Sequence, residues 1–163
     1  MEAMLPRVLL VLALSAWLPV LAVLAQDRAG VPSTPQALPG SPAPPQVVAE
    51  LRQTVEAAIA RFHAMDEAGL LALVSAQYRT DTLTKAGITD QVRTVFTLHD
   101  QVRARVRIDD VRMVGEHAWV YTTGQVTGRL RVVGSWIPVV SWERELEIAR
   151  REDGRWRLYG YQQ

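Results

Sequence analysis

The sequence predicts an α+β fold, with three N-terminal helices packed on a curved antiparallel meander of four strands. Three observations carry this. Apolar residues recur at helical spacing from Val47 to about Gln101. From Val102 onward they recur at every second position, with the tight-turn pairs Gly115-Glu116 and Asp153-Gly154 between the runs. Helices first and strands last is the order of an α+β fold, not of an alternating α/β fold.

The first 45 residues stand apart. Val8 to Ala25 is apolar and uncharged, with Arg7 before it and Gln26-Asp27-Arg28 after it. The run is long for a signal peptide and short for a spanning helix. Pro19 and the small residues of Val23-Leu24-Ala25 favour cleavage after Ala25. The following stretch, Val31 to Pro45, has six prolines in fifteen residues. It reads as an extended, solvated spacer that makes neither ladder nor helix. A spacer is useful to a chain held at a membrane, which favours an uncleaved anchor. Residues 1–25 are thus a signal peptide or a membrane anchor, 26–45 a Pro-rich linker and 46–163 the domain. Both readings place the domain outside the cytoplasm, secreted, periplasmic or anchored. The mass of the mature chain separates them.

The 118 residues from Gln46 to Gln163 suffice for one core. A net charge of +1 gives no field for nucleic acid. The absence of cysteine excludes disulfides, thiol nucleophiles, Cys-ligated zinc and lipoprotein lipidation. His63, His99 and His117 are too scattered for a metal site, so neither metal nor cofactor is expected.

In the first helix, Val47, Leu51, Val55, Ile59 and Phe62 form one stripe from Val47 to Met65. Asp66 caps a second, short helix with Leu70, Leu71, Leu73 and Val74 on its buried side. Thr89 or Asp90 caps a third, Gln91 to Gln101. In the first strand Val102, Ala104, Val106 and Ile108 alternate with Arg103, Arg105 and Arg107. The apolar phase then slips to Val111 and Met113, which implies a β-bulge at Asp109-Asp110. His117–Val132 and Ser135–Arg150 read as two long strands, and Trp156–Tyr161 as the last. Trp142, Arg144, Leu146 and Ile148 are expected on one face. Pairing Ile148 with Trp156 and Leu146 with Leu158 gives one apolar face and sets Glu147 against Arg157 on the other.

Three segments resemble the nuclear transport factor 2-like, or SnoaL-like, superfamily. Met65-Asp66-Glu67-Ala68-Gly69-Leu70 is similar to its link between the first two helices. Asp110 to Val120 is similar to its bulged strand and turn. Arg151-Glu152-Asp153-Gly154-Arg155-Trp156-Arg157-Leu158 is similar to its closing hairpin. The resemblance spans Val47 to Gln163 and implies a cone-shaped, cystatin-like fold. It says little of function, because the fold hosts isomerases, dehydratases, cyclases, hydrolases and non-catalytic modules. It implies a cavity between helices and sheet, in which enzymes place acid–base groups.

The candidate acid–base residues are Tyr78, Asp81 and His99, since a carboxylate or imidazole in an apolar cavity can do proton transfer. The bland alternatives are a half-buried anchor, a turn residue and a helix C-terminal residue. Tyr121, Trp142 and Arg144 are candidate ligand-binding residues, Arg144 as a clamp for an anion. The acidic row Glu143, Glu145, Glu147 and the basic row Arg103, Arg105, Arg107 read as solvated sheet charges, with a surface for anionic lipid, glycan or nucleic acid as the alternative. The strand beginning Ala118-Trp119-Val120-Tyr121 is apolar on both faces, so its second face needs cover. A homodimer through the sheet near Trp119, Tyr121 or Trp136 would supply it. No full catalytic set is present, so the first expectation is an exported module binding a small hydrophobic ligand or a protein. A lyase, isomerase or hydrolase is the second, and a membrane-tethered envelope-assembly component the third. Membrane contact is expected only through an uncleaved N-terminus.

Overall fold

Proline marks where the first helix starts. In this computed structural model, which describes residues 38–161, Pro45 occupies the first turn of α1 (Pro45–His63), where a missing N–H costs nothing. The signal-or-anchor reading and most of the linker lie outside the described residues. The end of the linker departs from expectation. Ser41–Pro42 forms a short strand, β1, and Ala43 N–H donates to Val111 O at 3.0 Å. Proline is tolerated there because β1 is an edge strand.

Asp66 caps α2 (Glu67–Leu71) by accepting from Gly69 N–H at 2.9 Å. The Gly69 N–H bond, then Arg61 at 2.7 Å, holds its carboxyl below the usual range. A two-strand hairpin, β2 (Arg79–Thr80) and β3 (Leu83–Thr84), comes before α3 (Lys85–Leu98). α3 begins earlier than the sequence suggests. Thr84 is its cap, and Ile88 extends the buried row Ile88, Val92, Val95 by one turn. The helix also ends earlier, because His99 is already extended and opens the next strand.

The meander is β4 (His99–Val114), β5 (His117–Leu130), β6 (Trp136–Glu152) and β7 (Arg155–Leu158). With β1 the sheet has five strands in the order β1-β4-β5-β6-β7, one more than expected. The turn at Gly115-Glu116 and the slip at Asp109 are as expected, since Val114 pairs His117 and the register shifts between Ile108 and Asp110.

Two other expectations about β6 are overturned. Across the last hairpin Ala149 pairs Leu158 and Glu152 pairs Arg155, not Ile148 with Trp156. Asp153 and Gly154 both have positive φ, 52° and 75°, the requirement of a two-residue turn, and that turn fixes the register. Nor do Trp142, Arg144, Leu146 and Ile148 share a face. The pairing shifts between Thr122 and Gly124, so Glu143 and Arg144 oppose the single residue Thr123. Arg144 has φ 47°, and beyond it odd-numbered residues face inward.

The bulges on β4 and β6 lie on either side of Thr123 of β5, which joins them. Thr123 Oγ1 donates to Asp109 Oδ2 at 2.5 Å and accepts from Arg144 N–H at 3.0 Å. The bond from Thr123, then Arg107, outweighs partial burial and lowers the Asp109 carboxyl. This seam is the crease along which the sheet bends over the helices.

Two apolar cores result. One gathers Phe62, Leu70, Val74, Val92 and Trp142; the other gathers Leu51, Val111, Ala118, Ala149 and Trp156. The sheet's edges are closed by other means. Leu73 O and Ser75 N–H bond the two sides of Leu158 at 2.8 Å, extending β7's edge. On β4, Ala104 N–H donates to His63 Nε2 at 2.9 Å.

Thr123→Val removes the hydroxyl and both crease bonds while keeping the shape. The expected result is a melting temperature lower by roughly 5–10 °C, read by circular dichroism.

Candidate functional site

α1, the residues around α2 and the inner sheet face line a partly open cavity of about 130 Å³. It lies where the two cores meet, since Phe62, Leu70 and Trp142 of one and Leu51, Ala149 and Trp156 of the other all line it. The α1 wall follows from the apolar stripe read in the sequence. The sheet wall depends on the crease, which turns Glu147 and Ala149 inward beyond Trp142.

Trp142 is positioned by two contacts. Its ring lies over Gly124, where an added Cβ would come within 2.4 Å. Its indole N–H donates to Thr122 Oγ1 at 3.1 Å, so the buried polar handle is satisfied. Thr54, also in the lining, gives its hydroxyl proton to Glu50 O at 3.0 Å. Glu147 and Arg157 are the charged residues of the lining. Arg157 reaches Glu152 at 3.5 Å and Asp153 at 3.4 Å.

Tyr78 is buried behind this wall, in the core with Leu70 and Val74. Burial is the main cause that pushes its phenol far up, and the nearby Glu147 carboxylate pushes it further. The hydroxyl stays protonated as a result. It has Thr80 nearby but makes no hydrogen bond of ordinary geometry.

The remaining sequence candidates do not converge on the cavity. Asp81 is exposed, with φ 50°, in the turn between β2 and β3. His99 is buried. Its Nδ1 lies 2.8 Å from Val95 O and its ring packs on Gly128, where a Cβ would approach within 2.3 Å. Tyr121 is on the outer face beneath Arg144, whose guanidinium carbon is 5.8 Å from the ring centre. Of the six candidates, Trp142 lines the cavity. Glu147 and Arg157 were missed. Glu147 had been placed on the opposite face, and the Asp-Gly turn was the signal that could have corrected it. A two-residue turn sets Ala149 against Leu158, and alternation then puts Glu147 inside.

The outer face is partly covered by the chain itself. Tyr159 stacks on His117 with ring centres 5.1 Å apart, and Tyr161 meets Trp119 edge-on at 6.1 Å. Among the described residues no cluster of His, Cys, Asp or Glu could hold a metal ion.

No family model matches the chain, and no curated protein matches its sequence. Solved structures do match. A conserved protein from Planctomyces limnophilus is 15% identical, with TM-score 0.60 over 71% of this chain and 92% of that one. A ketosteroid isomerase-like protein from Erwinia carotovora is 17% identical, with TM-score 0.55 over 71% of this chain and 93% of that one. A protein of the NTF2-like family from Streptomyces avermitilis is 12% identical, with TM-score 0.56 over 72% of this chain and 94% of that one. At such identities the likeness is one of fold, and the fold is nuclear transport factor 2-like. Proteins sharing it include enzymes, so the fold does not choose between binding and catalysis.

Glu152 holds the cavity's β7 wall to the segment after α2. It accepts from Ser75 Oγ at 2.7 Å and from Arg150 at 2.5 Å. Burial opposes its ionisation, but Ser75, Arg150 and Arg157 together hold its carboxyl below the usual range. A lowered carboxylate stabilises the fold above its unfolded pKa and loses that effect as pH falls through the folded value. The melting temperature should therefore fall as pH drops below about 4.3. Glu152→Gln should flatten that acid dependence, as read by thermal melts across the acid range.

Proposed function

We propose that this domain is an extracytoplasmic module that binds a compact, largely apolar ligand in the cavity between α1 and the sheet. The observation that carries it is a lining that is apolar except for two threonines, Glu147 and Arg157. Size narrows the class. A cavity of about 150 Å³ holds benzene, whereas drug-sized ligands take about 300–1,000 Å³. At about 130 Å³ the ligand is of benzene size, with one donor group directed at Glu147. Titrating isotope-labelled protein with benzylamine, phenol and benzene tests this by NMR. The Trp142 indole N–H signal should move, most with benzylamine. Glu147→Leu should remove the preference for the amine and keep benzene binding. Unmoved cavity signals at millimolar probe would overturn the reading.

A second reading is favoured by the nearness of Glu147 to a Tyr78 phenol that stays protonated. A carboxylate base in an apolar lining, with that phenol packed behind it, suits proton abstraction next to a carbonyl. Exchange of the α-hydrogens of a bound small ketone with deuterated solvent, lost in Glu147→Gln, would replace the binding role with a catalytic one.

The proposal includes a homodimer through the outer sheet face around Trp119 and Tyr121. What supports it is the half-buried Trp119 on that face, whose ring Tyr161 meets only edge-on; Tyr121 beside it is itself buried. Light scattering should give twice the chain mass, and a monomer at tens of micromolar would count against it.

A further inference from the structure

The four exposed large hydrophobic residues among the described residues gather at one end of the sheet. Val132 is 95% exposed, Val133 65%, Leu98 46% and Trp136 38%. Val132 and Val133 form the apex of the β5–β6 turn. Arg131 N–H donates to Leu98 O at 3.0 Å, and Trp136 pairs with Arg129 across the base. The turn is firmly held. Leu130 N–H donates to Ser135 O at 2.9 Å and Gly134 N–H to Leu130 O at 2.8 Å. The Arg131 guanidinium bonds the carbonyls of Phe96, Thr97 and His99, fixing the turn to the end of α3. The valines are thus held outward by a braced turn.

The charge around them is mainly positive. Arg103 lies over the Trp136 ring at 4.1 Å, and Arg105 follows it on the same face. Neither makes an ion pair among the described residues. Arg103, Arg105, Arg129 and Arg131 are set against one acid, Asp100, which Arg129 holds with two bonds of 2.8 Å. A second copy meeting this tip about a two-fold axis would bring like charges together. A protein partner would need a matching hollow for two protruding valines. A lipid interface accepts a protruding apolar tip without one. It also favours a tryptophan at the boundary and, when anionic, arginines behind it.

We propose that the β5–β6 turn is a membrane-contact tip, with Val132 and Val133 entering the interface of an anionic bilayer and Arg103, Arg105 and Arg131 meeting its headgroups. The proposal is independent of the cavity and of the N-terminal segment. The full chain carries its own apolar N-terminal run, so bulk membrane association does not test it, and a local reading is needed. The chain has no cysteine, so Val132→Cys takes a single environment-sensitive fluorophore. Glu116→Cys, at the opposite end of β5, is the control. The full-length protein is mixed with vesicles of phosphatidylcholine alone or of phosphatidylcholine with phosphatidylglycerol. The label at 132 should shift to the blue on the anionic vesicles only, and the label at 116 should not. Arg103→Ser and Arg105→Ser should each lower the bound-to-unbound ratio of the tip about fivefold. Three results would overturn the proposal: no shift at 132 on anionic vesicles, an equal shift on zwitterionic vesicles or at position 116, or undiminished response in the arginine variants. A shift without vesicles that grows with protein concentration would assign the tip to self-contact instead.

Discussion

One hydroxyl group holds the bend on which this structure depends. Thr123 Oγ1 stands between the Asp109 carboxylate and the Arg144 amide, joining the bulges of β4 and β6 across β5. A β-bulge leaves a backbone group without its ladder partner and increases local twist. Here the amide released on β6 finds the threonine, and the threonine finds the aspartate. The sheet can therefore fold over α1 without leaving that amide unsatisfied. The space between the two cores follows from the bend, and so does the inward turn of Glu147.

The edges of the sheet show the same economy. A long strand with an open edge invites pairing with another chain. β4 has Arg103, Arg105 and Arg107 along its outer face, and a histidine ring occupies the Ala104 amide. The edge of β7 is taken by the residues that follow α2. Each cover comes from a segment that also lines or supports the cavity.

Much of the fold was legible because it is written in local patterns. The α1 stripe, the Asp66 cap, the Gly115-Glu116 turn and the slip at Asp109 each need only a few neighbouring residues to be read. The start of α3 was hidden by Gly87 in its first turn, which weakens the helical signal although Ile88 belongs to the buried row. β1 was missed because proline argues against strands in general, and only the strand's position at an edge removes the objection. The site was less legible for a physical reason. Alternation assigns faces only while the register holds, and nothing apolar marks the bulge at Glu143-Arg144. Arg144 was thus placed with Trp142, and Glu147 was placed in solvent. Tyr78 and His99, named as acid–base candidates, are each enclosed by packing that no short-range pattern reveals.

The crease also bears on how such a domain can change over generations. Along β6 the residues after the bulge alternate acid and aliphatic: Glu145, Leu146, Glu147, Ile148. Substitutions there alter one side chain at a time. Loss of the one extra residue would exchange the whole set, turning the leucine and isoleucine inward and both glutamates out. A single codon deletion would take the carboxylate out of the chamber and put aliphatic side chains in its place. In this family of shapes, the reading frame of a bulge is a heritable switch between chemistries.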